Sequence, residues 1–316
     1  MRRLALAVVC STLLLAVAIG GFSHIFDLSP FNPSKPVAAA ETPVSSEADS
    51  LVEVLPRSAG YSKTTTDIMT VYHNVTYASP DGEPLLLDAY IPNGGVHPAV
   101  IVIHGGGWTY GDKQELAFEG ENLAAAGFGA FVVNYRLAPP NGDVHAPVAL
   151  RDVSTALDWV RNNAAAYRID PDRVGVLGNS AGGNLAMMLG VGGVNDTDHV
   201  NAVVSYSGQS NLLTLSTRHT THAALNYIGC AVATCRAIWV ANSPIDHCTP
   251  ATAPMLLVNS THELMPLDQA TGMATRLEQV GVPHVLKVLN GKKHASEFAN
   301  EVWPETLDFL TQYLGS

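Results

Sequence analysis

The serine at position 180 has the sequence surroundings of a catalytic nucleophile. The segment Gly178-Asn179-Ser180-Ala181-Gly182 follows an apolar run, Arg173 to Leu177, that predicts a buried strand, and it precedes a run that predicts a helix. A G-x-S-x-G motif between strand and helix predicts a tight turn that exposes the serine hydroxyl. The helix N-terminus behind it, including the Ala181 N–H, would face a developing negative charge. Taken alone, the pentapeptide also fits a glycine-rich turn capped by Ser180.

A second glycine-rich motif favours the catalytic interpretation. His104-Gly105-Gly106-Gly107-Trp108 follows Ala99 to Ile103, a run of β-branched residues that predicts another buried strand. Successive glycines let the backbone pass close to a ligand with its N–H groups directed at it. We therefore predict an oxyanion hole formed by the N–H groups of Gly106, Gly107 and Ala181. A flexible glycine loop is the alternative for this motif by itself.

These motifs carry a resemblance to a known family. The chain resembles α/β-hydrolases of the HGGG class, is similar to hormone-sensitive-lipase-like esterases, and is closer to bacterial feruloyl-esterase-like carboxylesterases. The resemblance extends from about residue 70 to the C-terminus, and the supporting segments are His104 to Trp108, Val133 to Pro139, Ile169 to Val174, Gly178 to Gly183 and Ser243-Pro244-Ile245. It implies an α/β-hydrolase fold, with a mostly parallel sheet, helices on both faces and a small cap after the sixth strand. It also implies that His104 orients the oxyanion loop. The family commonly has Asp before the nucleophile, where Asn179 stands in this chain.

A serine hydroxyl needs a base to become a good nucleophile, and in this fold the chain order is serine, acid, histidine. His294 fits the base because it follows the strand predicted at His284 to Leu289 and precedes the closing helix. A surface histidine that caps this helix is the alternative. His284 lies inside the strand, and we expect it to be structural.

The acid departs from the family pattern. The resemblance implies Asp in the loop after the seventh strand, but residues 259–266 contain no Asp, and Glu263 falls at about the expected place. A glutamate is longer by one methylene and can still accept the imidazole N–H. We predict Glu263 as the acid, with Asp268 and Asp246 as alternatives. The proposed chemistry requires no metal and no organic cofactor.

Strand and helix patterns alternate along the chain. The order predicts a mostly parallel α/β sheet after an opening antiparallel hairpin, with active residues at the carboxyl ends of the strands. Predicted strands are Thr70 to Ala78, Leu85 to Tyr90, Ala99 to Ile103, Ala130 to Asn134, Arg173 to Leu177, Val200 to Ser205, Pro254 to Val258 and His284 to Leu289. Predicted helices are Lys113 to Ala126, Ala146 to Asn163, the elbow helix, Leu267 to Val280 and Ser296 to Leu314.

Residues 207–247 interrupt this alternation with a polar stretch rich in Thr and His. By the resemblance, this segment is the cap over the site. His219 and His222 are spaced as a metal-binding pair would be, but no convincing third ligand lies nearby in the sequence. We therefore expect a solvated pair and no metal site.

The N-terminus and the cysteines bear on location. Met1-Arg2-Arg3 precedes an almost wholly apolar run, so residues 1–27 predict a signal peptide or an N-terminal membrane anchor, with the body exported. Residues 28–65 predict a linker and 66–316 the catalytic domain. In an oxidising compartment Cys230 and Cys235 could form a local disulfide, which would leave Cys248 as a buried apolar filler.

The combined interpretation is a secreted or outer-face-anchored serine carboxylesterase acting on small or aromatic esters. The net charge of −11 argues against a nucleic-acid partner, which needs a clustered basic surface. An acyltransferase or amidase with the same triad is an alternative. A catalytically inactive hydrolase-fold binding protein is an alternative from another class, although Ser180 and His294 are both present.

Overall fold

The computed structural model describes residues 61–194 and 198–315. The predicted N-terminal segment, 1–27, and most of the predicted linker lie outside these residues. Within them, a sheet of nine strands has the order β1-β2-β3-β5-β4-β6-β7-β8-β9. The strands are β1 (Ser62–Thr65), β2 (Met69–Ala78), β3 (Leu85–Pro92), β4 (His97–Ile103), β5 (Gly129–Val133), β6 (Ile169–Asn179), β7 (Ala202–Tyr206), β8 (Met255–Ser260) and β9 (His284–Leu289).

The sheet is antiparallel at one side and parallel over the rest. Strands β1, β2, β3 and β5 pair antiparallel, and β5, β4, β6, β7, β8 and β9 pair parallel. All residues of β5, β7 and β8 are buried, as expected for parallel strands covered on both faces. The predicted α/β-hydrolase fold, opening with an antiparallel hairpin, is confirmed.

Helices cover both faces of this sheet. Along β4, Ile101 and Ile103 belong to one core with residues of α2, α3 and α6, whereas Val100 and Val102 belong to the other core with residues of α1 and α7. This alternation is the two-residue period of a strand. The helices are α1 (Ala117–Ala125), α2 (Val148–Asn162), α3 (Ala181–Gly190), α4 (Arg218–Ile228), α5 (Val232–Ala241), α6 (Leu267–Gln279) and α7 (Ala299–Leu314).

Two features of the elements differ from the sequence prediction. Strand β1 lies inside the predicted linker and pairs antiparallel with β2, so the sheet begins before residue 66. All four β1 residues are exposed, and hence no apolar pattern marks the strand in the sequence. The helix predicted from Lys113 begins as a 3₁₀ turn over Lys113–Leu116, and the closing helix α7 is preceded by a similar turn over Ala295–Phe298.

The segment between β7 and β8 forms the cap, which contains α4 and α5. The predicted Cys230–Cys235 disulfide joins the connection between the two cap helices, at Cys230, to α5, at Cys235, with the Cα atoms 6.2 Å apart. Cys248 is a free, buried cysteine as expected, and burial raises the pKa of its thiol to about 11. No single helix in the described residues is long and apolar enough to cross a membrane, and α4 with α5 meets that criterion only as a pair bent by 83°.

Candidate active site

Ser180 occupies the sharp turn between β6 and α3. Its backbone has φ 54° and ψ −115°, in a region that non-glycine residues rarely adopt. The Ser180 N–H donates to the carbonyl of Tyr206 in the neighbouring strand β7 at 2.7 Å. The turn is therefore held by the sheet itself in the strained conformation expected of a nucleophile elbow.

The glycines around Ser180 allow this turn because no side chain fits there. A Cβ at Gly178 would collide with the backbone of Gly182, and a Cβ at Gly182 would collide with the carbonyls of Ile103 and His104. A Cβ at Gly105, in the facing loop, would lie 2.9 Å from the carbonyl oxygen of Asn179. The two glycine motifs are thus in direct contact, as the sequence interpretation requires.

The structure brings the predicted base and acid together. His294 follows β9 and Glu263 follows β8, and a carboxylate oxygen of Glu263 contacts His294 Nδ1. The Glu263 side chain is fully buried, whereas the His294 side chain is 21% exposed. In the described residues, neither alternative acid, Asp268 on α6 or Asp246 in the cap, makes a hydrogen bond or an ion pair with His294.

Ser180 and His294 line the same cavity. This catalytic cavity has a volume of about 190 Å³, and the predicted oxyanion glycines Gly106 and Gly107 also line it. Helix α4 of the cap contributes His219, Thr220 and Ala223 to its wall. Side chains from separate loops at the carboxyl edge of the sheet therefore meet around one space that is open to a small molecule.

Ser207 is a site residue that the sequence analysis missed. It lies directly after β7 and is fully buried, with φ 53°. Its hydroxyl donates to Glu263 Oε1 at 2.9 Å and accepts the N–H of Ala295 at 3.0 Å. The N–H of Ser260 donates to the same Glu263 oxygen at 2.7 Å. Ser207 thus ties the acid loop to the loop that carries His294.

The stacked rings of His104 and Tyr135 support the oxyanion loop. The ring of His104 stacks on Tyr135 with centroids 4.4 Å apart, and the Tyr135 hydroxyl contacts the carbonyl oxygens of His104 and Gly105 at 3.1 and 3.2 Å. Burial lowers the pKa of His104, which favours a neutral imidazole. Gly106 and Gly107 have φ of 97° and 58°, and this conformation is readily available only to glycine.

A second stacked pair joins the oxyanion loop to the cap. The indole of Trp108 lies parallel to the ring of Tyr227 on α4, with centroids 4.6 Å apart. Both side chains are buried. The position of the cap helix and the conformation of the loop are therefore mechanically linked.

Asn179 contacts a second buried acid. Its amide donates to Glu119 Oε1 on α1 at 3.3 Å, and burial raises the pKa of the Glu119 carboxyl. Glu119 does not line the catalytic cavity.

No metal-binding cluster is found in the described parts of the chain. No group of three or more His, Cys, Asp or Glu side chains there is arranged to hold an ion, and His219 and His222 belong to no such group.

A family model and several curated proteins match this chain. The family model BD-FAE matches residues 87–277. Arylacetamide deacetylase of Bos taurus is 41% identical over 107 residues, which are 31% of this chain and 25% of that protein. The chain spans half or less of the length of the curated relatives that it matches.

Solved structures share the fold. A truncated form of a carbohydrate esterase from gut microbiota superposes with a TM-score of 0.71 at 23% identity, covering 81% of this chain and all of that one. Thermogutta terrifontis esterase 2 phosphonylated by sarin superposes with a TM-score of 0.67 at 21% identity, covering 82% of this chain and 95% of that one.

Proposed function

The chain belongs to the BD-FAE family, and from the geometry of its site we propose that it is a serine carboxylesterase acting on small or aromatic esters. The observation that carries the proposal is a strained Ser180 that shares a cavity with His294, whose ring atom Nδ1 contacts the buried Glu263. Along the chain the nucleophile Ser180 comes first, the acid Glu263 second and the base His294 third, which is the order of α/β-hydrolases.

The first half of the proposed reaction makes an acyl-enzyme. His294 Nδ1–H donates to Glu263, which leaves Nε2 unprotonated and able to take the proton of the Ser180 hydroxyl. The Ser180 oxygen attacks the ester carbonyl, and the carbonyl electron pair moves onto its oxygen. His294 then returns the proton to the leaving alcohol as the C–O bond breaks.

The negative oxygen of this intermediate needs donors. The N–H groups of Gly106 and Gly107 have no hydrogen-bond acceptor among the residues that the structure describes. The N–H of Ala181 belongs to the first turn of α3, where helices leave backbone donors unpaired. We assign these three groups to the oxyanion hole. Water, activated by His294, then attacks the acyl-enzyme and releases the acid by the same path.

The proposal is tested with a panel of 4-nitrophenyl esters of increasing acyl length and a feruloyl ester. We expect hydrolysis of the short or the aromatic members, and a loss of about 10³-fold or more in turnover for Ser180→Ala. Matched 4-nitroanilides and added alcohol acceptors separate ester hydrolysis from amidase and acyltransferase activity. Turnover of anilides without turnover of esters, or no turnover of any substrate, would contradict the assignment.

We also propose that the catalytic domain is exported. The proposal is supported by the basic Arg2-Arg3, which an apolar run follows as in a signal sequence. The Cys230–Cys235 disulfide agrees with an oxidising compartment. Protease added to intact spheroplasts should digest the body of the protein, and a cytoplasmic control protein should survive. Full protection of the body would contradict export, and its distribution between membrane and medium would separate an anchor from a cleaved signal.

A further inference from the structure

A second cavity adjoins the catalytic cavity. This outer cavity has a volume of about 500 Å³ and lies between the oxyanion loop and helix α4. Gly107, Tyr110, His219 and Ala223 line both cavities. The two cavities are therefore adjacent, which puts the outer cavity within reach of a substrate whose ester carbonyl lies at Ser180. Its volume is in the range of small-molecule sites.

The outer cavity has a distinct charge. Arg218, His219 and His222, all on the first turns of α4, contribute to its lining, and no lining residue is acidic. The Arg218 side chain makes no ion pair or hydrogen bond with any other residue in the described ranges. Arg218 and the two histidines are exposed, and together they form a basic group in a chain of net charge −11.

The catalytic cavity differs in this respect. Its lining includes Glu115, an exposed acid, and no arginine or lysine. By formal charge, Glu115 disfavours a negatively charged substituent at the catalytic cavity, and Arg218 favours one at the outer cavity. The charge difference gives a substrate that carries a carboxylate one preferred direction across the site.

We propose that the outer cavity binds a carboxylate carried by the ester substrate, on the part of the molecule remote from the reacting carbonyl. Arg218 supplies the charge through its planar fork of N–H donors, which matches a carboxylate, and His219 and His222 supply ring N–H donors. The inference rests on the proposed esterase function, since it specifies the substrate class of that same site.

Two substrate pairs test the proposal on each half of the ester. Mono-4-nitrophenyl glutarate and its methyl ester place or remove the charge on the acyl half, and 4-acetoxybenzoate and its methyl ester do so on the alcohol half. For at least one pair, Arg218→Gln should lower kcat/KM of the charged member about three- to tenfold and leave the uncharged member within about twofold. Added salt should reduce the difference.

The matched control is Arg236→Gln. Arg236 is an exposed arginine on the other cap helix, α5, and lies outside the lining of both cavities. It should change no substrate by more than about twofold. Equal effects of the two substitutions, or an equal loss for charged and uncharged esters in Arg218→Gln, would overturn the outer-cavity proposal alone. Failure of the wild type to hydrolyse these four esters and every member of the 4-nitrophenyl ester panel would instead overturn the esterase function, and the cavity proposal with it.

Discussion

The side chain of the proposed acid, Glu263, is fully buried, and its two carboxylate oxygens have separate partners. One oxygen contacts His294 Nδ1, and the other accepts from the Ser207 hydroxyl and the Ser260 N–H. A buried carboxylate is tolerated only when its acceptor sites are used in this way. In the proposed mechanism, this arrangement fixes the tautomer of His294 and favours the charged imidazolium that forms during attack.

Replacing Glu263 by Gln should therefore remove the charge and keep the size. We expect kcat to fall about 10²- to 10⁴-fold while the protein stays folded, and Glu263→Asp to retain part of the activity because the charge remains but the reach shortens. Glu278→Gln, at an exposed position on α6, is the matched control and should be silent. Near-normal turnover of Glu263→Gln together with an inactive Asp268→Asn or Asp246→Asn would place the acid elsewhere.

Ser207 gives a second prediction at the same scale. Ser207→Ala leaves Glu263 Oε1 with the Ser260 donor alone and leaves the Ala295 N–H unpaired. The acid and base loops should loosen, so kcat should fall about 10- to 100-fold with little change in KM. If Ser207 acts through Glu263, adding the substitution to Glu263→Gln should cost little more. A fully additive loss, or a change confined to KM, would show that Ser207 does not position the acid.

The sequence allows the proposed site residues to be named because each follows a strand or opens a helix in a recognisable pattern. The contact between Glu263 and His294 agrees with the predicted pairing, including the use of Glu in a loop without Asp. Ser207 was missed because its role depends on contacts with residues far along the chain, which no local pattern encodes. A small polar residue directly after a buried strand, at the active edge, was the available signal.

Among the secondary-structure elements, the start of helix α3 and the end of strand β4 must approach each other closely to form the elbow. A Cβ at Gly182 would collide with backbone carbonyls after β4, whereas a Cβ at Gly272 on α6 would meet only the end of the Ile245 side chain, at 3.7 Å. Gly182→Ala should lower the free energy of unfolding by about 3 kcal/mol or more. Gly272→Ala should be neutral or stabilise by about 0.4–1 kcal/mol.

Urea unfolding of the two variants beside the wild type measures this difference. Similar unfolding midpoints for Gly182→Ala and Gly272→Ala would mean that α3 does not pack against β4 as described. A loss of activity in Gly182→Ala without a loss of stability would point to the same conclusion.

Strands and helices can be predicted from the sequence where burial of the element leaves a regular pattern of apolar residues. The strand β9 has the predicted bounds, and the buried strands β4, β5 and β8 begin or end within two residues of theirs. The exposed β1 has no such period, because it is held by backbone pairing with β2. The 3₁₀ turns before α1 and α7 were also missed, since helical periodicity does not distinguish them from a first α-helical turn.

In the whole domain, residues 61–194 and 198–315, the catalytic parts come from widely separated stretches of chain. The proposed oxyanion loop follows β4, the proposed nucleophile follows β6, the proposed acid follows β8 and the proposed base follows β9. Parallel strands place these loops at one edge, and the Trp108–Tyr227 stack fixes the cap against them. The outline of the cap could be predicted, but the cavities beneath it could not, because they depend on how α4 packs.

The central claim is that Ser180 is the nucleophile of an active serine hydrolase. A fluorophosphonate probe should add one phosphonyl group per chain, and peptide mapping should place it on Ser180. His294→Ala should label far more slowly, because the serine then lacks its base, and Ser180→Ala should not label at all. Modification of the wild type at another residue, or labelling that persists undiminished in Ser180→Ala, would contradict the account.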